Sequence, residues 1–347
     1  MKKTISSLNL GFVYAYVHFA VEVCCFYFLF SLMSASFIWW GIALLFDAVA
    51  FIPQVFMGLI ADKYHKFNYG LLGCVLILVS LAIPFDIAAL VLMCIGNALA
   101  HIGGAQKTLR TSGEKIAPSG VFVGGGSFGV ITGQLLGALG KGSLVIIPAA
   151  LIAVAALILL YIAKMRDAEE KKWTLDITKN HSLGMVVFVA FVIIAIRAYI
   201  GYAIPTEWKK TEFQAVLLFV SMGMGKALGG FIADKYGFYK TAIISSVLSL
   251  PFLLFGNSIM TLSLIGVGLF SMTMPITIAI LVSKFPDQPC FSFGITTVAL
   301  FTGILPVFFI RPESLIAHQI TVLVLITIAT IALLYCLEKR KNHESDS

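Results

Sequence analysis

Hydrophobic residues run through this chain in long blocks, and the charged residues fall almost entirely in the short gaps between them. The blocks lie at about 8–32, 37–61, 69–85, 87–106, 118–139, 143–163, 183–204, 213–233, 240–256, 259–282, 290–310 and 315–337. Most are 17–25 residues long. That is the length an α-helix needs to cross a hydrocarbon layer of about 30 Å, whereas a barrel strand needs about ten residues. Inside lipid every backbone N–H and C=O is satisfied within its own segment, so the blocks predict helices. The expectation is an all-α transmembrane fold of twelve helices in two pseudo-symmetric six-helix bundles. At 84–87 only Pro84 and Asp86 mark a turn, and without it the count falls to eleven.

The polar gaps organise the blocks. The longest connection, from Lys164 to Asn180, carries the mixed-charge string RDAEEKKW and reads as a flexible or surface-helical linker. It divides the chain into an N-terminal bundle (1–163), a cytoplasmic linker (164–182), a C-terminal bundle (183–337) and a polar tail (338–347). The second and eighth blocks end in related strings, GLIADKYHKF at 58–67 and GGFIADKYGFYK at 229–240, offset by 172 residues. An offset of half the chain predicts an internal duplication. In each copy a glycine, Gly58 or Gly230, permits close helix contact. A carboxylate, Asp62 or Asp234, stands where the helix leaves the membrane. There it is suited to accept hydrogen bonds from the amides of a neighbouring helix start or to pair with a basic residue.

Composition closes off other classes. Hydrophobic residues make up 59% of the 347 and charged residues 12%, against about 25% charged in soluble domains. The formal charge of +7 suggests a nucleic-acid binder until its distribution is read. Eighteen of the 24 Lys and Arg fall at the termini and even-numbered connections: Lys2, Lys3, Lys63, Lys66, Lys107, Arg110, Lys115, Lys164, Arg166, Lys171, Lys172, Lys179, Lys235, Lys240, Lys284, Lys339, Arg340 and Lys341. Four (Lys141, Lys209, Lys210, Arg311) fall on the other side. This bias puts both termini in the cytoplasm, and the charge is a topology device rather than a nucleic-acid surface. The six cysteines show no Cys-x-x-Cys pair and read as small buried side chains. No secretory leader is evident after Lys2-Lys3. No Walker A string, redox-cofactor motif or metal cluster is visible, so neither an ATP-driven pump nor an enzyme is expected, and no cofactor.

The duplicated string resembles the loop signature of the major facilitator superfamily, Gly-x-Leu-Ala-Asp-[Arg/Lys]-x-Gly-[Arg/Lys]-[Arg/Lys], found after the second helix and, degenerate, after the eighth. The first copy matches at Gly58, Ala61, Asp62, Lys63 and Lys66, and departs at Leu59-Ile60, His65 and Phe67. The second matches at Gly230, Ala233, Asp234, Lys235 and Gly237, with Phe238-Tyr239 before Lys240. The resemblance implies a twelve-helix transporter, alternating access between two bundles, and a gating role for these loops. Exporters of this family also carry a glycine-rich fifth helix with a Gly-Pro step. This chain has Gly124-Gly125-Gly126, then Gly129, Gly133 and Gly137, without the proline. The four-residue spacing from Gly125 lays a smooth stripe on one helical face, suited to tight or sliding contact.

Ionisable groups inside a membrane span are costly and point to function. Four lie well inside: Glu22, Asp47, Arg197 and Lys226. The offset maps Glu22 onto Ile194, one turn from Arg197, and predicts an acid facing a base across the cleft. Asp47, between apolar flanks, suits reversible protonation. Lys226 is expected to pair across the interface or reach toward the cytoplasm. Asn97 and His101 share a face of the fourth block, as His18 and Glu22 do in the first; a second ligand beside His101 is not apparent, so a metal is not expected there. In the seventh block Tyr199 is a candidate solute ligand and Tyr202 an interface anchor. The expected function is a secondary transporter of a small polar solute, anionic or zwitterionic given the guanidinium fork of Arg197, coupled to H+. It would act as a functional monomer in the cytoplasmic (inner) membrane. A drug or metabolite efflux antiporter, and a non-transporting receptor or assembly factor of the same fold, stand as alternatives.

Overall fold

The computed structural model describes residues 4–33, 39–140, 142–165, 169–203 and 207–338. Lys2, Lys3, Lys141, Arg166, Lys339, Arg340, Lys341 and the tail from 339 onward lie outside them. Fourteen α-helices occupy the described residues: α1 (Ser7–Met33), α2 (Trp39–Phe51), α3 (Gln54–Lys63), α4 (Tyr69–Ser80), α5 (Asp86–Thr111), α6 (Ala117–Ala138), α7 (Ile146–Ile162), α8 (Leu183–Ala203), α9 (Glu212–Tyr236), α10 (Phe238–Phe255), α11 (Met260–Ser271), α12 (Thr273–Lys284), α13 (Pro289–Ile304) and α14 (Leu315–Cys336). They make twelve crossings, because two apolar blocks are each built from two helices. The second block breaks between α2 and α3, where Pro53 lacks the amide a continuous helix would use. The tenth breaks at Met272 between α11 and α12. The helix also ends at Ser80 and restarts at Asp86, so Pro84 and Asp86 do mark a turn and the count is twelve. Ten crossings are long and apolar enough to span a bilayer, and α4 and α7 are shorter apolar helices. The chain is a multi-pass membrane protein.

Without a hydrophobic drive between helices in lipid, packing depends on small residues. The stripe Gly125, Gly129, Gly133 and Gly137 on α6 lies against Ala15, Phe19, Val23 and Tyr27 of α1, in matching four-residue steps. A Cβ on Gly133 would sit 2.7 Å from the Val23 carbonyl oxygen, and one on Gly137 2.6 Å from that of Tyr27. The neighbouring Gly124 faces Gly223 of α9 instead, so α6 is packed closely on two sides.

The connection after α7 departs from the expectation of a flexible or helical linker. Its described part is extended and docked: Trp173, Leu175 and Ile177 are buried while Lys172, Thr174 and Asp176 are exposed. That two-residue alternation is the signature of an extended segment on an apolar surface. The Trp173 ring meets Phe238 edge-on at 6.0 Å, and Thr178 bridges to Leu337. Lys172 pairs with Asp287 at 2.8 Å and Lys284 with Asp176 at 3.0 Å. These contacts gather the even-numbered connections at one end of the molecule. At the other end the Glu207 amide donates to the Asn257 carbonyl at 3.0 Å.

Candidate functional site

A cavity of about 360 Å³ lies among α1, α5, α6, α8, α9, α11 and α13, a volume suited to a small solute. It reaches Lys209 and Asn257, at the end opposite the docked linker.

One wall carries a cluster assembled from two helices. His18 and Glu22 are one turn apart on α1, and Asn97 and His101 are one turn apart on α5, so each pair shares a face. Packing of α1 on α5 brings the pairs together. The two Nε2 atoms are 2.8 Å apart, and Glu22 Oε1 lies 3.5 Å from that of His18 and 3.3 Å from that of His101. Asn97 Nδ2 donates to the same oxygen at 3.2 Å. Each ring is oriented by a backbone carbonyl, His18 Nδ1 by Phe122 O and His101 Nδ1 by Asn97 O, both at 2.9 Å. A carbonyl only accepts, so both Nδ1 atoms carry hydrogen. Two neutral rings would then aim bare Nε2 lone pairs at one another across 2.8 Å, a repulsion that one cation between them, a proton or a metal ion, would relieve, with the carboxylate as counter-charge. Gly126 makes this arrangement possible, since a Cβ there would overlap the His18 ring. His18, Glu22 and His101 are thus a set that can ligate metal. The expectation that His101 has no second ligand beside it is corrected: the missing ligands come from α1, 79 and 83 residues away in sequence.

The facing wall is cationic. Arg197 Nη1 donates to Thr277 Oγ1 at 3.1 Å, while its Nη2 is buried without a hydrogen-bond partner among the described residues. Lys226 Nζ donates to Ser127 Oγ of α6 at 2.8 Å, reaching across to another helix. Glu22 and Arg197 both line the cavity, but among the described residues they form no ion pair; the acid turns to the imidazoles on its own side. Asp47 is not among the lining residues and makes no hydrogen bond to another described residue. Tyr199 lies about 200° around α8 from Arg197, at about 100° per residue, and donates to Ile310 O at 3.0 Å. Tyr202 lines the cavity in its place. Ser127 and Thr277 were not anticipated; their hydroxyls satisfy buried cations, and nothing in the local pattern sets them apart from other helix-packing Ser and Thr.

The end with the docked linker is closed by the two repeated loops. Asp62 accepts from the Cys290 and Phe291 amides at the start of α13, at 3.1 and 2.9 Å, and from Arg110 Nη2 at 2.9 Å. Asp234 accepts from the Ile116 and Ala117 amides at the start of α6, at 2.8 and 3.0 Å. Gly58 and Gly230 sit against those same helix starts. Lys63 and Lys235 lie over the rings of Tyr64 and Tyr236, at 5.4 and 5.0 Å. One turn into each anchored helix stands a phenylalanine, Phe122 on α6 and Phe293 on α13, with ring centroids 5.8 Å apart. Phe122 also meets the His18 ring at 5.1 Å. The aromatic pair forms a floor between the cluster and the closed end.

The helix arrangement is one shared with solved membrane-protein structures. A solved structure of the E. coli fucose:proton symporter FucP superimposes with a TM-score of 0.60 at 14% identity, covering 95% of this chain and 99% of that chain. A second FucP structure, a Major Facilitator Superfamily transporter in the outward conformation, gives a TM-score of 0.58 at 12% identity over 92% of this chain and 99% of that one. At these identities the likeness shows the fold. No protein-family model and no curated protein matches the chain.

Proposed function

We propose that this protein is a secondary transporter that moves a small anionic or zwitterionic solute by alternating access, coupled to a cation, H+ in the first instance. The observation that carries the reading is the cavity itself. It is closed at one end by two repeated carboxylate contacts, and it sets the cluster of His18, Glu22 and His101 against a wall bearing Arg197 and Lys226. An unpartnered buried guanidinium nitrogen is costly alone and favourable with an anionic oxygen. A cation on the cluster and an anion on the facing wall would lower each other's cost in a medium of low dielectric, which is the physical basis of coupling. The likeness to a fucose:proton symporter, one of whose structures is in the outward conformation, supports a symporter with its cavity open to the outside. On this reading the closed end is cytoplasmic, both termini are cytoplasmic, residues 1–163 and 183–337 are pseudo-symmetric six-helix bundles, and the monomer is the working unit in the cytoplasmic membrane.

The test is solute flux into proteoliposomes loaded with a pH-sensitive dye, with carboxylates, phosphates, amino acids and sugars offered in turn. The expected result is lumen acidification that depends on solute. Glu22→Gln should abolish concentrative uptake while leaving solute exchange. Solute flux unaffected by collapsing the proton gradient, with no other ion gradient present, would overturn proton coupling. Binding without flux would favour a receptor of the same fold.

A further inference from the structure

The cluster on α1 and α5 has the make-up of a transition-metal site. We infer that His18, Glu22 and His101 bind one divalent metal ion of the zinc class, through both Nε2 atoms and a Glu22 carboxylate oxygen. Whether the ion binds is independent of the transport reading above, and only its purpose, as coupling ion or cargo, rests on it.

Four observations carry the assignment. First, the donors are two imidazoles and one carboxylate, the three-ligand set that leaves a zinc-class ion one position open. Second, their spacing is right. Ligands at about 2.0–2.1 Å in a tetrahedron stand about 3.3 Å apart. The two Glu22 distances are 3.3 and 3.5 Å, and the imidazole pair, at 2.8 Å, needs to part by about 0.5 Å. Third, the outer partners are those of metal-ligating histidines: each Nδ1–H donates to a backbone carbonyl, which fixes the tautomer and leaves Nε2 free for the ion. Asn97 holds the ligating carboxylate in the same way. Fourth, all three ligands reach the ion from walls that are already packed; His101 and Glu22 are buried, and Gly126 keeps the space for the His18 ring. The cluster opens onto the cavity, whose facing wall carries Arg197 and Lys226. Those cations disfavour a bare metal ion and favour one whose fourth position is filled by an anionic oxygen of carboxylate or phosphate type. Metal and anion would then occupy the cavity together.

Purified full-length protein in lipid nanodiscs, stripped with chelator and titrated with Co2+, gives a direct readout. The inference expects one Co2+ per chain with the visible bands of a four-coordinate N/O site, displaced by Zn2+. His18→Ala and His101→Ala should each weaken binding at least about a hundredfold, since even outer partners are worth about 10–100-fold. The shape-preserving Glu22→Gln should weaken it about tenfold or more on the same scale. His65→Ala and His181→Ala, at half-buried positions that do not line this cavity, should leave it unchanged. Melting temperatures without metal identify any variant that fails to fold, and Glu22→Gln then carries the test. Adding phosphate or a carboxylate should perturb the Co2+ bands in the wild type but not in Arg197→Gln. Absence of a Co2+ band in folded wild type would mean that the cluster takes a proton only and would overturn the inference, while solute-driven proton flux would still stand. A band retained in both histidine variants would also overturn it. Binding that persists where no solute is transported sinks the transport reading and upholds the metal site.

Discussion

Asp62 and Asp234 each set both carboxylate oxygens on two consecutive backbone amides at the start of a distant helix; the two acids are offset by the same 172 residues as the strings that carry them, and the amides they meet by 174. The copies differ in what surrounds that shared geometry. Asp62 also meets the Arg110 guanidinium, which reaches the Asp62 carbonyl and approaches Glu170 of the linker at 3.8 Å. For Asp234 no side-chain donor is recorded among the described residues. The glycines differ in the same sense. A Cβ on Gly58 would stand 2.5–2.8 Å from backbone atoms of Cys290 and Phe291, whereas one on Gly230 would stand 2.8–3.3 Å from Ile116 and Ala117. The linker's ion pairs with Asp287 and Lys284 brace the region before α13 as well. The same device occurs twice, and the copy at Asp62 is the more heavily braced. In an alternating-access protein such asymmetry would let one contact set the energy of the closed end while the other guides reclosure.

The comparison is broken most directly by neutralising each acid. Asp62→Asn leaves the half-buried Arg110 with only the exposed Glu170, 3.8 Å away, as counter-charge, a loss of about 3 kcal/mol, the low end for breaking a pair of this kind. Asp234→Asn weakens charge-assisted bonds worth about 1.5–3 kcal/mol. Cys290 is fully buried beside Asp62, so its alkylation by a water-soluble thiol reagent, located by mass spectrometry, reports opening of this end. Asp62→Asn should raise the labelling rate about a hundredfold or more, and Asp234→Asn about tenfold to a hundredfold, by the same energies. Equal rates for the two variants would mean that the copies are equivalent.

Much of this was legible before the fold was seen, and the reasons are physical. The bilayer imposes a length on every crossing, so the blocks and most of their boundaries could be read directly. The repeated Asp-Lys-Tyr strings announced themselves because two copies at one offset are hard to produce by chance. His18 with Glu22, and Asn97 with His101, were legible as pairs, since four-residue spacing fixes a helical face. That the two pairs meet was not legible, because it depends on how α1 packs against α5. The offset put Glu22 and Arg197 on the same cavity, but an ion pair between them does not form among the described residues, because the acid has nearer partners that no offset reveals. Gly124, Gly125 and Gly126 look like one motif but face α9, α1 and the His18 ring respectively. Trp173, Leu175 and Ile177 did carry a readable two-residue alternation, masked by the charged string before them.

Adding a methyl group tests the spatial half of the asymmetry. Gly58→Ala collides with backbone, which cannot rotate away, so α3 and α13 must separate. Such overpacking costs about 1–3 kcal/mol. Gly230→Ala meets looser contacts and should fall at the low end of that range. The expected order of Cys290 labelling is Gly58→Ala above Gly230→Ala above wild type, with the first raised about tenfold. A reversed order would show that the close approach of α6 and α9, not of α3 and α13, limits opening.

The smallest effect concerns the linker brace. Burial raises the Asp176 carboxyl pKa, but hydrogen bonds from the Thr178 amide and hydroxyl, together with Lys284, outweigh it and hold the group below its ordinary value. A depressed carboxylate contributes stability above its unfolded pKa of about 4, and that contribution is lost as pH falls through the lower folded value. Docking of the linker should therefore be independent of pH between about 8 and 5 on account of this group and weaken from about 4 downward. Hydrogen exchange at 173–178, corrected for the intrinsic pH dependence of amide exchange, measures it; the expected loss of protection is less than tenfold, as suits an exposed ion pair. Asp176→Asn should remove the acid-dependent loss and lower protection at neutral pH by a similar factor. If the variant keeps the wild-type profile, the brace is not held by Asp176, and Lys172 with Asp287 is left as the linker's ion pair at this end.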